Sequence, residues 1–524
     1  MPTISTRLWI PLAAGLIAFV ALVDVRIAGP RVGVRWRADI SEAERAASER
    51  RYSLRNGEQD KDSPSTWRYE LGDRSRENLR SLVTDPAAAD TAYIDRERLT
   101  DEGRRLSVAI RGVPPLPGLP FPFSSTDEFM DPWQLFQIQS AWLLLAGGVM
   151  LRMAHAAATR HRRNVTVGIL LLVGVMACLF PISPSTVRMS DALQNVANRG
   201  RFSEYAGVNQ IRFEAHLTYA ILGQLDRVFG RTDETPRRAQ TAVARGATAW
   251  FVLSALAIGF IEGWSPFILR YLGLALLAPC ALLYFGWREF GYLSLNVAAF
   301  PLLARGLRDG GNHVEAGSVL GGLGAALHGW GLVSLGGMLM AALAAPSAGP
   351  ERVGRALRVA AWGTAAYLGW CAIYIIILKL PITLGHAEAI PWRPWFADEV
   401  FDGRLNVAIF SAAGARDLFM TAWVVGAPLL VIAVSLWRKY PNEVRTTLAC
   451  ALPSVICVTL IWHTQGLKED MDVVFGIFPA IHALAWICAH DPTRTKIAAA
   501  LLVSAHLAFW RIVLDTQFAA IVVR

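Results

Sequence analysis

Apolar residues in this chain come mostly in long runs, not in alternation. The runs are roughly 16–21 residues, about the length a helix needs to cross a ~30 Å hydrocarbon layer. They fall at 8–23, 134–151, 165–181, 249–264, 267–285, 292–307, 362–378, 417–437, 446–462, 473–488 and 497–513. Residues 317–345 (GSVLGGLGAALHGWGLVSLGGMLMAALAA) are too long for one simple span and rich in glycine, so the pattern predicts two short helices meeting near Gly329. Residues 24–132 differ in kind. The stretch 31–37 (RVGVRWR) alternates as a strand does. Ser41 opens a polar helix to Tyr52, and 66–71 (TWRYEL) alternates again. A second amphipathic helix covers 75–83, and 92–94 begins a last strand. The order β-α-β-α-β suits a small two-layer α+β unit.

The expected organisation is a first span or signal anchor at 1–23, an extracytoplasmic α+β domain at 24–112, a Pro-rich linker at 113–132, and a multi-span region at 133–524 with an outer loop at 182–245. A cleaved signal peptide is the alternative for the first segment, but no small-x-small cleavage site follows it. The fold class predicted is thus a polytopic α-helical membrane protein of about 13 spans. Of the 524 residues 53% are apolar and 18% charged, which argues against a disordered or fibrous chain.

The net charge is +9, from 51 Lys and Arg against 42 Asp and Glu. Much of the excess lies in short basic loops, at 152–163, 305–308, 352–358, 438–439 and 494–496. Counting the Gly-rich segment as a helical pair puts all five on the side of Arg7, the cytoplasmic side of a bacterial inner membrane by the positive-inside rule. Residues 231–245 are basic yet fall on the other side in this scheme. Making 213–230 a span would move them, but that segment carries Glu214, His216, Gln224, Asp226 and Arg227, and an interfacial helix suits it better. No basic stretch is interleaved with stacking aromatics, so a nucleic-acid partner is not expected. The six cysteines fall in or at the ends of apolar runs and form no CxxC metal site.

Chemistry-bearing residues gather in the segments between the runs. Asp191 follows a run by about ten residues and opens a short helix. It can act as a general base or metal ligand, or it can be a charge favoured at a helix N-terminus. Arg288 and Glu289 lie in a turn, and Tyr292 begins the next run. Lys468, Glu469 and Asp470 form a charged turn at 464–472. Trp392, Arg393 and Trp395 (IPWRPWFADE) combine aromatic and cationic side chains, and the two tryptophans also suit an aromatic belt. His328, His482 and His506 lie within runs and read as helix–helix hydrogen-bonders.

The segment from Asp191 through "ALQNVANRGRF" to "FEAHLTYAILGQLDRVFG" resembles the first outer loop of the GT-C superfamily of glycosyltransferases, which use polyprenyl-phosphate sugars. His216, Leu217, Tyr219, Phe229 and Gly230 carry the likeness, while Ser190 stands where the family often has a second acid. Residues 278–292 (APCALLYFGWREFGY) resemble the family's second outer turn, with Arg288, Glu289 and Tyr292 in order. The resemblance covers roughly residues 165–510. It implies transfer of a sugar from the lipid carrier to an acceptor not identified by the sequence, with Asp191 as base. Glu289 would assist, through a divalent metal such as Mg or Mn held with Asp191 or by holding the acceptor. His216, Arg288, Tyr292, Lys468, Trp392, Arg393 and Trp395 would bind substrate. The stretch LRSLVTDPAAADTAYIDR resembles the ferredoxin-like propeptide domain of subtilisin-type proteases, which suggests a protein-docking module. A non-catalytic scaffold that docks a partner through the α+β unit is the other reading. A transporter is a third, but the chain shows one Gly-rich break and no second copy of it.

Overall fold

The computed structural model describes residues 31–59, 65–72, 78, 81–82, 85, 87–92, 129–130, 132–179, 236–285, 291–327, 330–373, 419, 421–469, 478–516 and 522–523. The 8–23 segment, the outer loop through residue 235 with its 213–230 helix, and the segment 380–416 lie outside them.

The N-terminal unit contains strand β1 (Arg31–Trp36), helix α1 (Glu42–Arg51) and strands β2 (Leu54–Gln59), β3 (Thr66–Leu71) and β4 (Ala88–Ala92). Asn78, Ser81 and Leu82 are helical between β3 and β4. The sheet order is β2-β3-β1-β4, and each of its pairings is antiparallel. This is the strand order of a split β-α-β sheet. Ser41 starts α1 with a complete capping box, in which its side chain accepts from the Glu44 N–H and Glu44 accepts from the Ser41 N–H. That backbone hydrogen bond and the one from the Ser41 hydroxyl hold the Glu44 carboxyl below its usual range. Val34, Trp36, Tyr52, Leu54, Tyr69 and Leu82 form the unit's core. Tyr69 is its centre, with a hydroxyl that accepts from Trp36 Nε1 at 2.9 Å and donates to Glu49 at 2.7 Å.

β2 was not expected from the pattern. Its burial falls off after Leu54, as on a solvated edge, so no alternation marks it. Asn56 within it has a φ of 51°, in the left-handed region, where asparagine costs less than most residues.

The C-terminal body is helical: α2 (Pro132–Met153), α3 (Thr159–Leu179), α4 (Pro236–Ile261), α5 (Pro266–Leu277), α6 (Gly291–Asp309), α7 (His313–Leu327), α8 (Gly331–Ala344), α9 (Gly349–Ala372), α10 (Ala427–Ser435), α11 (Pro441–Glu469), α12 (Ile481–Cys488) and α13 (Pro492–Thr516). A 3-10 helix at Pro279–Phe285 follows α5. Short strands β5 (Phe129–Met130) and β6 (Val522–Val523) pair antiparallel. The helices α6, α7 and α9 pack in series, α5 packs on α2 and α13, and α8 on α11. Glycines allow the closest crossings. A Cβ at Gly147 or Gly273 would collide across the α2–α5 contact, and one at Gly322 with the Gly363 backbone across α7–α9.

The expected 13-span membrane fold is not what these helices form. Among the described residues, no helix is long and apolar enough to cross a membrane. The most apolar helices are short: α5 has 12 residues, α8 has 14, α10 has 9 and α12 has 8. Twelve residues at 1.5 Å each reach about 18 Å, against a layer of ~30 Å. Longer helices mix polar residues into the same length. α9 carries Glu351, Arg352, Arg355 and Arg358, and α6 carries Asn296, Arg305 and Arg308. Where they are described, the apolar runs become helices, but punctuation subdivides them. Ser265 caps α5 with Pro266 next to it, and α5 ends before Pro279. The Gly-rich segment falls in α7, which ends at Leu327, and α8, which begins at Gly331. The turn expected at 464–472 is helical as far as Glu469.

Candidate functional site

Of the candidate site residues, Tyr292 is the one whose side chain is described. It lies in the first turn of α6, is 0% exposed and packs beside Gly324 of α7. It fixes how α6 seats on α7, at the end of α6 to which residues 286–290 connect. Lys468 lies in the last turn of α11, in a helix and not in the charged turn expected. Asp191, His216, Arg288, Glu289, Trp392, Arg393 and Trp395 lie outside the described residues. The carboxylates assigned to a divalent cation by resemblance are among these. The described donors do not make such a site, since no group of three His, Cys, Asp or Glu side chains gathers among the described residues.

Buried polar side chains link α5 and α6 to neighbouring helices. Tyr271 of α5 donates to the Val297 carbonyl of α6 at 2.8 Å, with its hydroxyl 3.4 Å from His482 Nδ1 of α12. Ser334 of α8 donates to Asn296 Oδ1 of α6 at 2.6 Å. His506 Nδ1 of α13 meets the Leu277 carbonyl of α5 at 3.2 Å. His482 and His506 thus contact neighbouring helices, as the sequence suggested. His328 lies outside the described residues. The interactions named here include no carboxylate, so they offer a buried way to register helices and no charged acid–base pair.

The opposite end of α6 is a different environment. Seventeen residues from Tyr292 to Arg308 span about 24 Å at helical rise. Arg305 pairs with Glu262 at 3.0 Å, joining α6 to the end of α4. Arg355 pairs with Glu351 at 2.6 Å and donates to the Leu307 carbonyl, while Arg358 reaches Glu315 at 3.2 Å. Arg270 donates to the Ala489 carbonyl, and Lys439 pairs with Asp491 at 2.7 Å. The hydrogen bond from Arg308 holds the Asp309 carboxyl below its usual range. Arg162 of α3 is buried and donates to the Trp264 carbonyl at 3.0 Å. Its other nitrogens reach the Ala156 and Ala157 carbonyls and Thr159 Oγ1. These contacts tie the basic loops at 152–163, 305–308, 352–358, 438–439 and 494–496 to one end of the helical body.

Sequence reasoning did not single out Arg162, although it stood in a recognised basic loop. Position in a loop does not show that three carbonyls converge on one guanidinium. Comparison with family models, with curated proteins and with solved structures found no match to this chain in any of the three.

Proposed function

We propose that the chain is a glycosyltransferase that takes its sugar from a polyprenyl phosphate at a lipid membrane. The observation that carries this reading is the apolar surface the helices turn outward. Leu253 is 58% exposed, Phe260 62%, Leu357 63% and Leu368 57%. Outward apolar side chains of this kind, on α4 and on α9, suit a lipid or protein contact, and an isoprenoid donor demands a lipid-facing enzyme. The resemblance around Asp191 and Glu289 supplies the chemistry. A carboxylate at residue 191 would take the acceptor's proton as its oxygen attacks the anomeric carbon, and an arginine such as Arg288 would stabilise the departing phosphate.

The scaffold reading keeps one specific support, the complete burial of Tyr292. A residue expected to hold substrate instead packs between helices. The two readings separate in one assay. The full chain in vesicles is given a radiolabelled polyprenyl-phosphate sugar and candidate acceptors. Transfer that falls by ~10²–10⁴-fold in Asp191→Asn, with the thermal melt unchanged, supports the base. Glu289→Gln is comparably severe if a metal joins the two carboxylates and milder if Glu289 orients the acceptor. Full activity of Asp191→Asn removes that residue from the mechanism. No transfer by the unaltered chain with any donor leaves the scaffold.

A further inference from the structure

We propose that the arginine-rich end of the helical body docks on anionic phospholipid headgroups. The charge pattern there is asymmetric. Glu262, Asp309, Glu315, Glu351 and Asp491 pair with Arg305, Arg308, Arg358, Arg355 and Lys439. Glu443 stays outside those pairs and is half-buried. Arg152, Arg160, Arg163, Arg438, Arg445 and Lys496 are exposed at the same end and make no ion pair among the described residues. Their charge is not compensated by an ion pair among the described residues.

The surface around these cations decides the partner's chemistry. Trp437, next to Arg438, is 47% exposed, and Val434, one turn before it, is 51% exposed. Val353 and Leu357 are 53% and 63% exposed on α9, among the arginines of its first turns. Ile261, beside Glu262, is 43% exposed. Four of these five outward groups are aliphatic and offer nothing to a nucleic-acid base, which stacks on flat π faces, so Trp437 alone could stack. They do enter the boundary between headgroups and acyl chains, where an adjacent arginine or lysine meets lipid phosphate. Uncompensated cations interleaved with outward valine, leucine and tryptophan therefore fit an anionic lipid surface. This inference does not use the glycosyl-transfer reading, and none of the six cations belongs to its proposed site.

The test is flotation of the full chain with vesicles of phosphatidylcholine alone or with about 30% phosphatidylglycerol, at about 0.1 M and about 0.5 M salt. The expected result is a preference of about tenfold or more for the anionic vesicles at low salt, most of it lost at high salt. Replacing all six cations by Gln reduces the preference to about twofold or less. If that variant does not fold, two triple variants serve, one at Arg152, Arg160 and Arg163 and one at Arg438, Arg445 and Lys496. Each then loses part of the preference. Equal binding to both vesicles overturns the proposal, as does full preference in folded Gln variants. Displacement of the anionic vesicles by an equal charge of single-stranded oligonucleotide also overturns it.

Discussion

Replacing Arg162 by lysine keeps the charge and removes the fork, and the change should weaken the protein nearly as much as replacement by methionine. The guanidinium serves four acceptors: the carbonyls of Trp264, Ala156 and Ala157 and the Thr159 hydroxyl, at 2.6–3.0 Å. No single ammonium position reaches both the Trp264 carbonyl and the three acceptors of the 156–159 turn in that planar geometry. At least two hydrogen bonds to a charged group are lost, each worth about 1.5–3 kcal/mol. The expected cost is therefore roughly 3 kcal/mol or more, concentrated where α4 turns into α5. That turn is already under tension. Gly263 and Trp264 both have left-handed backbones, with φ of 62° and 53°, and a bulky side chain rarely adopts one. The Trp264 N–H bonds back to the Gly259 carbonyl and the Gly263 N–H to that of Phe260, as in a Schellman closure. Hydrogen exchange of the full chain, read at residues 264–269, is the assay. Loss of about 3 kcal/mol speeds opening of that turn by roughly a hundredfold. A lysine variant that exchanges within about threefold of the unaltered chain would refute the geometric argument.

Three further outcomes are expected. Gly259→Val should unseat Trp264, whose ring lies where a Cβ at residue 259 would be, and should destabilise by about 1–3 kcal/mol, measured by the same exchange at 264–269. The Tyr52 phenol should titrate late in an alkaline absorbance titration. Burial, and then its hydrogen bond to Asp85, push its pKa up to about 12. Its folded pKa lies above the unfolded one, so the stability it contributes is complete below about pH 10 and is lost as pH rises through about 12. Titration near 10 would exclude the buried pairing. Asp491→Ala should cost about 1–2 kcal/mol at the start of α13, because Asp491 accepts from the Thr493 and Arg494 N–H groups. Burial pushes this carboxyl up, but the hydrogen bonds from Lys439 and from those N–H groups outweigh it and leave the pKa lowered. The stability it adds is thus present above the usual carboxylate range and is lost as pH falls through the lowered value. An acid melt identical in the unaltered chain and the Asp491→Ala variant would contradict this.

Legibility in the sequence followed the physical origin of each feature. Ser41 and Glu44 are three residues apart, so the start of α1 could be read locally, and so could the break between α7 and α8. β2 could not, because an edge strand with one buried residue leaves no alternation. The described apolar runs were legible as helices, but their length was overestimated as spanning. Ser265-Pro266 and Pro279 cut the 267–285 run at points that hydropathy averaging passes over. The gathering of the basic loops at one end followed from their regular spacing between helices. The role of Arg162 did not, since residues 102 positions apart meet there. Tyr292, placed in a family-like motif by the sequence, is buried beside Gly324 of α7, a packing contact that local pattern does not show.

The order of strands in the N-terminal sheet has a consequence during synthesis. β1 lies between β3 and β4, and both are made after it. When the ribosome releases residue 36, the strand that will become central has two open edges. The second is closed only after Ala92 has emerged, about 56 residues later. At 5–20 residues per second that is roughly 3–11 s. For that interval Val34 and Trp36 are exposed on a strand able to pair with any other. The alternate arginines of β1, at positions 31 and 35, place charge on the nascent strand during this interval, and charge on an open edge opposes pairing with another copy.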